Sequence, residues 1–122
     1  EGVRAMFSFK FREEDGLGLI DWTPLFQAFP SPDAVTPSAI PQMAMAFHLA
    51  VASAAGRMLE TTAGGSGCPD VVLSGGAFMN GILSTLIPER VSALGFKPRI
   101  HRLVPPNDGG VCVGQALCAG MR

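Results

Sequence analysis

Two glycine-bearing loops hold the residue types from which a nucleotide site can be built. The first is Val71-Val72-Leu73-Ser74-Gly75-Gly76-Ala77-Phe78-Met79-Asn80. A β-branched run drops into a glycine pair, and a helical pattern follows. Strand, glycine turn and helix is how a parallel sheet presents backbone N–H groups to a phosphate. Gly75 and Gly76 carry no Cβ, so a ligand can approach closely, and the N–H groups of Gly76 and Ala77 would face it. Asn80, one turn into the helix, would reach a ribose or a base edge. The second loop is Val104-Pro105-Pro106-Asn107-Asp108-Gly109-Gly110. Here Asp108 has two readings, a cap on the helix that follows or a metal ligand holding a divalent ion against a phosphate. The first turn likewise reads on its own as a plain strand-to-helix connection. The pair of loops is what points to a nucleotide.

The elements that must position these loops follow from periodicity. Ala5 to Phe11 predicts a strand with Phe7, Phe9 and Phe11 on one face. Arg12 to Gly16 reads as a charged turn, and Leu17 to Ile20 as a returning strand. Asp21 is the expected N-cap of a short helix from Trp22 with Pro24 in its first turn, ended by Pro30-Ser31-Pro32-Asp33. Ser38 is the expected cap of the longest helix. Ile40, Met43, Ala44, Phe47, Val51, Ala54, Ala55, Met58 and Leu59 form its apolar stripe, and Thr61 to Gly67 terminates it. Asp70 to Ser74 lacks polar alternation and predicts a strand covered on both faces. A helix is expected from about Phe78, interrupted near Pro88 and closed by Gly95 at C′. Lys97 to Leu103 predicts a second parallel strand with Ile100 and Leu103 inward. Val111 to Met121 predicts a small-residue helix suited to close backbone packing. The fold class is α/β, and both loops leave the carboxyl ends of adjacent parallel strands, the edge where open sheets bind ligands.

Composition narrows the function classes. The 122 residues suffice for a single domain, with 48% hydrophobic and 16% charged residues and a mean hydropathy of +0.32. That is apolar for a soluble domain of this size. Together with Glu1 in place of an initiator methionine, it reads as one piece of a longer protein whose other parts cover the apolar faces. A net charge of −1 gives no electrostatic footprint for nucleic acid. The stretch from Ile40 to Met58 contains Gln42, His48 and Arg57 and is no clean membrane span. Cys68, Cys112 and Cys118 include no C-x-x-C pair, which argues against zinc or a disulfide framework and for a reducing, cytoplasmic setting. Cys112 and Cys118 are expected to pack as small hydrophobes. His48 and His101 read as structural, and no Ser/His/Asp or paired-carboxylate arrangement is present.

The segments Leu73-Ser74-Gly75-Gly76-Ala77-Phe78-Met79-Asn80, Gly95-Phe96, Val104 to Gly110 and Gly114-Gln115-Ala116 resemble the C-terminal part of the HypF family. These are the carbamoyltransferases of [NiFe]-hydrogenase maturation. Asp21-Trp22-Thr23-Pro24-Leu25 and Ala46-Phe47-His48 also fit, so the resemblance runs over most of the chain. Phe78 and Met79 depart from the Val-Phe-Gln expected before the asparagine. The resemblance implies a ribonuclease-H-like, Kae1-like lobe of the actin/Hsp70/sugar-kinase (ASKHA) fold, a mixed sheet with helices on both faces. Residues 1–122 would form one C-terminal lobe of a larger multidomain protein, with ATP bound between two such lobes.

By the same resemblance, the whole protein activates carbamoyl phosphate with ATP as a carbamoyl adenylate. It then transfers the carbamoyl group to the C-terminal cysteine of a HypE-like acceptor protein. Ser74, Gly75, Gly76 and Asn80 would contact the nucleotide. Asp108 would be a metal ligand (Mg or Fe) beside the phosphates, with Asn107 and Gly109 shaping the loop. An upstream histidine pair, the first lobe and the zinc-bearing upstream domains of that family have no counterpart in these residues. The chain alone is therefore expected to be inactive. Two other readings stand beside this one. The first is a tRNA threonylcarbamoyl- or O-carbamoyltransferase of the same superfamily; the Pro-Pro-Asn-Asp-Gly-Gly loop favours the hydrogenase or O-carbamoyl branch over the tRNA branch. The second is a degenerate lobe that serves only as an interaction or dimerisation module.

Overall fold

The structure, a computed structural model, describes residues 7–63 and 67–121. The architecture is mixed α/β. By internal contacts the chain divides into two compact units, residues 1–67 and 68–122.

The first unit opens on an antiparallel hairpin of β1 (Lys10–Glu14) and β2 (Leu17–Asp21). The register runs from Lys10 opposite Asp21 to Glu14 opposite Leu17, so the loop is Asp15-Gly16 alone. Both residues have positive φ, 53° and 76°, as a tight two-residue hairpin turn requires. Arg12 to Glu14, expected in the turn, thus belong to β1. Ala5 and Met6 fall outside the described residues. Hydrogen-bonded pairing begins only at Lys10, yet inward and outward positions already alternate from Phe7 to Arg12. Phe7 stacks on Phe29 at 4.7 Å between centroids and Phe9 on Trp22 at 5.8 Å. The Arg57 guanidinium lies 5.0 Å from the Phe11 ring centre, a cation–π contact.

Helix α1 (Thr23–Gln27) follows, with Pro24 in its first turn. Asp21 Oδ1 accepts from the Thr23 N–H at 2.9 Å, and Asp21 Oδ2 pairs with Arg12 at 2.6 Å. The Thr23 hydroxyl and its backbone N–H, with lesser help from Arg12 and Lys10, hold the Asp21 carboxyl below its ordinary value of 3.8 against an opposing effect of desolvation. A carboxyl lowered in the folded state stabilises the fold fully above its unfolded value, and that contribution is lost as pH falls through the folded value. Wild-type thermal stability is therefore expected to fall more than that of Asp21→Asn between about pH 5 and about pH 2. Parallel pH profiles of the two melting curves would contradict this.

Helix α2 (Ile40–Ala63) is the longest element. The Ser38 hydroxyl bonds Thr36 Oγ1 at 3.1 Å instead of capping the helix. Nor do the larger apolar side chains fill its buried stripe. Ala46, Ala50, Ala52, Ala54 and Gly56 are the buried positions, while Ile40 is 55% exposed. Leu25, Phe7, Ala46 and Ala50 form the buried cluster, flanked by Trp22, Ala28, Met43 and Phe47. The helix runs on through Thr61 and Thr62, whose hydroxyls both bond the Met58 carbonyl; they extend it rather than end it.

The second unit is built on two parallel strands, β3 (Asp70–Leu73) and β4 (Lys97–Ile100). Asp70 pairs with Lys97 and Leu73 with Ile100. Arg99 Nε reaches Asp70 Oδ1 across the pair at 2.7 Å, an exposed contact worth little by itself. Between the strands lies α3 (Leu83–Ala93), which passes Pro88 without a break. It buries Ile87 and Val91. Phe96 N–H donates to the Val91 carbonyl and Gly95 N–H to the Ser92 carbonyl, with Gly95 at φ 86°. That is the paired closure that a C′ glycine permits.

Helix α4 (Val111–Gly120) ends the chain and is exposed along its length. Cys112 and Cys118 are exposed, not packed, and a Cβ added at Gly114 or Gly120 would meet nothing within 4 Å. Ile100 is 49% and Leu103 98% exposed, so neither points to a core, and Val72 on β3 is 72% exposed. β3 is thus not covered on both faces. No helix among the described residues is long and apolar enough to cross a membrane.

Candidate functional site

β3 and β4 end side by side, so the two glycine loops start from one edge. Ser74 and Gly75 leave β3, and a single 3₁₀ turn, Gly76–Met79, follows. Gly75 has φ 108° and ψ 162°, a region essentially restricted to glycine. A Cβ there would meet nothing within 4 Å, and the same holds at Gly76. The turn is therefore open on its outer side, with room for a group brought against the backbone.

Helix α3 starts at Leu83, later than the expected Phe78. Asn80 lies before it, not one turn inside. Its Oδ1 accepts from the Ile82 N–H at 3.0 Å and from the Leu83 N–H at 3.1 Å. These are donors that the first turn of a helix leaves without intrahelical partners. The side chain expected to reach a ribose thus holds the start of α3.

On the other loop, Pro105-Pro106 leads into a 3₁₀ turn, Asp108–Gly110, that runs into α4. The cap is Asn107, whose Oδ1 accepts from the Gly109 N–H at 3.1 Å. Asp108, expected to share that role, is exposed within the 3₁₀ turn. Its carboxylate is directed to no cap. Gly110 is tightly enclosed: an added Cβ would lie 2.6 Å from the Pro105 carbonyl oxygen and 3.0 Å from Val104 Cγ1.

The two loops are joined at one atom. The Pro106 carbonyl oxygen accepts from the Gly75 N–H at 2.7 Å and from the Ser74 hydroxyl at 3.4 Å. His101 Nε2 lies 3.0 Å from Ser74 Oγ. His101, read from the sequence as structural, is a site neighbour that sequence reasoning missed. Its signal was position, since it follows directly on the end of β4, which pairs with the strand carrying Ser74. His48, by contrast, hydrogen-bonds within α2, Nδ1 to the Ala44 carbonyl at 2.6 Å, far along the chain from either loop.

Of the expected site residues, the structure brings Ser74, Gly75 and the Asn107–Gly109 loop together through Pro106. Gly76 adjoins them, and Asn80 is occupied at the helix start. The N–H of Gly75 is already bonded, so an approaching anion would find the N–H groups of Gly76 and Ala77, which have no acceptor among the described residues. A metal fits less well. No group of three His, Cys, Asp or Glu side chains that could hold an ion occurs among the described residues, and Asp108 offers one carboxylate. These residues do not build a metal site of their own.

Comparison with known proteins gives the family. A family described as the carbamoyltransferase, Kae1-like domain, second subdomain, matches residues 3–115. Carbamoyltransferase HypF of Synechocystis sp. is 34% identical over 98 residues, covering 80% of this chain and 12% of the relative. Carbamoyltransferase HypF2 of Cupriavidus necator is 33% identical over 108 residues, covering 88% of this chain and 13% of the relative. Full-length HypF in a phosphate- and nucleotide-bound crystal form superposes with a TM-score of 0.75 at 26% identity, over 96% of this chain and 16% of that one. T. kodakarensis HypF gives a TM-score of 0.67 at 28% identity, over 98% of this chain and 16% of that one. The chain thus spans about one-eighth of the length of these curated relatives. With a parallel strand pair whose glycine loops meet at Pro106, and a match over nearly its whole length, the chain belongs to the HypF carbamoyltransferase family, as the second subdomain of its Kae1-like domain.

Proposed function

We propose that this chain forms the nucleotide-facing wall of an ATP-dependent carbamoyltransferase. The whole enzyme would take carbamoyl phosphate as donor and pass the carbamoyl group to the C-terminal cysteine thiol of a HypE-like acceptor in [NiFe]-hydrogenase maturation. The observation that carries this reading is the Gly75 N–H to Pro106 carbonyl bond, 2.7 Å. It fixes two glycine loops at the carboxyl ends of adjacent parallel strands, where α/β sheets bind ligands. The nucleotide-bound HypF relative supports it.

Each residue then has a task. Gly75 and Gly76 keep side chains out of the ligand's path, and the N–H groups of Gly76 and Ala77 point donors at an anion. Asn107 holds the loop that presents Asp108. In the assembled enzyme Asp108 is proposed to supply one oxygen ligand to a divalent metal beside the phosphates, the remaining ligands coming from outside this chain. Asn80 acts on the nucleotide only indirectly, by fixing the start of α3.

The test is carbamoyl transfer by the full-length enzyme carrying Asp108→Ala. Because Asp108 is exposed and caps nothing, the fold should survive while transfer falls by at least about a hundredfold, the scale on which a lost transition-state electrostatic contact acts. Transfer at the wild-type rate, with only assembly or stability changed, would favour the non-catalytic interaction module. The 122-residue chain alone supplies one wall of a site. It is expected to show no ATP turnover, and measurable phosphate release by the purified chain would overturn that expectation.

A further inference from the structure

The Ser74 hydroxyl has one proton and sits between two groups. The Pro106 carbonyl oxygen can only accept, so Ser74 is the donor of the 3.4 Å contact. With the Ser74 proton on that side, the 3.0 Å contact with His101 Nε2 is an imidazole N–H donating to Ser74 Oγ; the opposite tautomer would turn the Ser74 proton to Nε2 and leave the Pro106 contact without one. The Pro106 oxygen, with two lone pairs, is then filled by Ser74 O–H and Gly75 N–H. We propose that His101 is a positioning residue of the nucleotide wall: by donating to Ser74 it commits the Ser74 proton to Pro106, so that Ser74 offers a ligand one acceptor lone pair and no donor. This rests on the reading that the turn lines a nucleotide site. Ser74 would then complement a hydrogen-bond donor of the nucleotide, a ribose hydroxyl or the adenine amine, and not a phosphate oxygen.

The network itself can be read in the chain without any ligand. Nitrogen-resolved imidazole NMR of the 122-residue chain should show neutral His101 with its proton on Nε2, and that signal should shift in Ser74→Ala. A proton on Nδ1 would overturn the assignment. In the full-length enzyme, His101→Ala and Ser74→Ala should each raise KM for ATP roughly fivefold to tenfold, the scale of one hydrogen bond, with kcat little changed. The double variant should be no worse than either single one, because the two residues act as one unit. His101→Gln, whose amide can donate from a similar place, should recover most of the loss. Additive losses, or a fall in kcat at constant KM, would show His101 to be merely structural and overturn the proposal. Failure of the wild-type enzyme to bind ATP would instead overturn the nucleotide-site reading, while the tautomer measurement still decides the network.

Discussion

Gly110→Ala should weaken ATP binding to the full-length enzyme by at least tenfold and lower the stability of the chain by about 1–3 kcal/mol. The cause is space, not backbone conformation. Gly110 has an ordinary φ of −89°, but an added Cβ would stand 2.6 Å from the Pro105 carbonyl oxygen and 3.0 Å from Val104 Cγ1. Backbone must therefore move, and the residue beside that carbonyl is Pro106, to which Gly75 is bonded. The comparison with Gly75→Ala separates two kinds of cost. At Gly75 the added methyl meets nothing, and the penalty comes only from φ 108°, about 1–3 kcal/mol of strain. Calorimetric titration with ATP and urea unfolding measure both variants. A Gly110→Ala protein with wild-type ATP affinity would show that the geometry of this loop does not matter to the nucleotide.

Leu25→Ala should have the largest effect on stability in the first unit, a loss of about 2–5 kcal/mol. Leu25 is the one large side chain among the described residues that is fully buried, and it lies in the cluster with Phe7, Ala46 and Ala50. Its buried neighbours on α2, Ala46 and Ala50, cannot swing into the space that a lost isobutyl group leaves, while Met43 and Phe47 flank the cluster and set how much of that space closes. Trp22 packs against the same cluster and is the chain's single tryptophan, so its fluorescence reports the unfolding directly. A loss under about 1 kcal/mol would mean that the α1–α2 contact relaxes around the gap.

The order of elements and the parallel pairing of the second unit were legible in the sequence, because β-branched runs and glycine punctuation mark strands and turns locally. Gly95 was read correctly as C′ for the same reason: a positive φ at a helix end nearly demands glycine. The errors have physical causes. Asp15-Gly16 is a strong hairpin signal, but the charges of Arg12 to Glu14 drew the turn too wide, although an exposed strand face tolerates them. In α2 the expected stripe of Ile40, Met43, Ala44, Phe47, Val51, Ala54, Ala55, Met58 and Leu59 shares only Ala54 with the buried positions, which are all alanine or glycine. Leu103 is exposed because the pairing ends at Ile100, before it is reached, whereas Ile100 is paired with Leu73 and still 49% exposed, since no helix among the described residues covers that part of the strand pair's face. At the two loops, chemistry by residue type shows in the caps. Asn80 and Asn107 are cap residues by chemistry, and both serve as caps in the structure. That leaves Asp108, a competitor for the same role by type, free of it. His101 was invisible to motif reading because its partner, Ser74, is 27 residues away and meets it only through the strand pairing.

The central claim is that the turn after β3 and the loop after β4 form one nucleotide wall. Amide hydrogen exchange on the full-length enzyme, with and without ATP, tests it most directly. ATP should slow exchange in both Ser74–Asn80 and Asn107–Gly110, at the same ATP concentration. Protection confined to one loop, or absent from both while ATP is bound elsewhere, would contradict it.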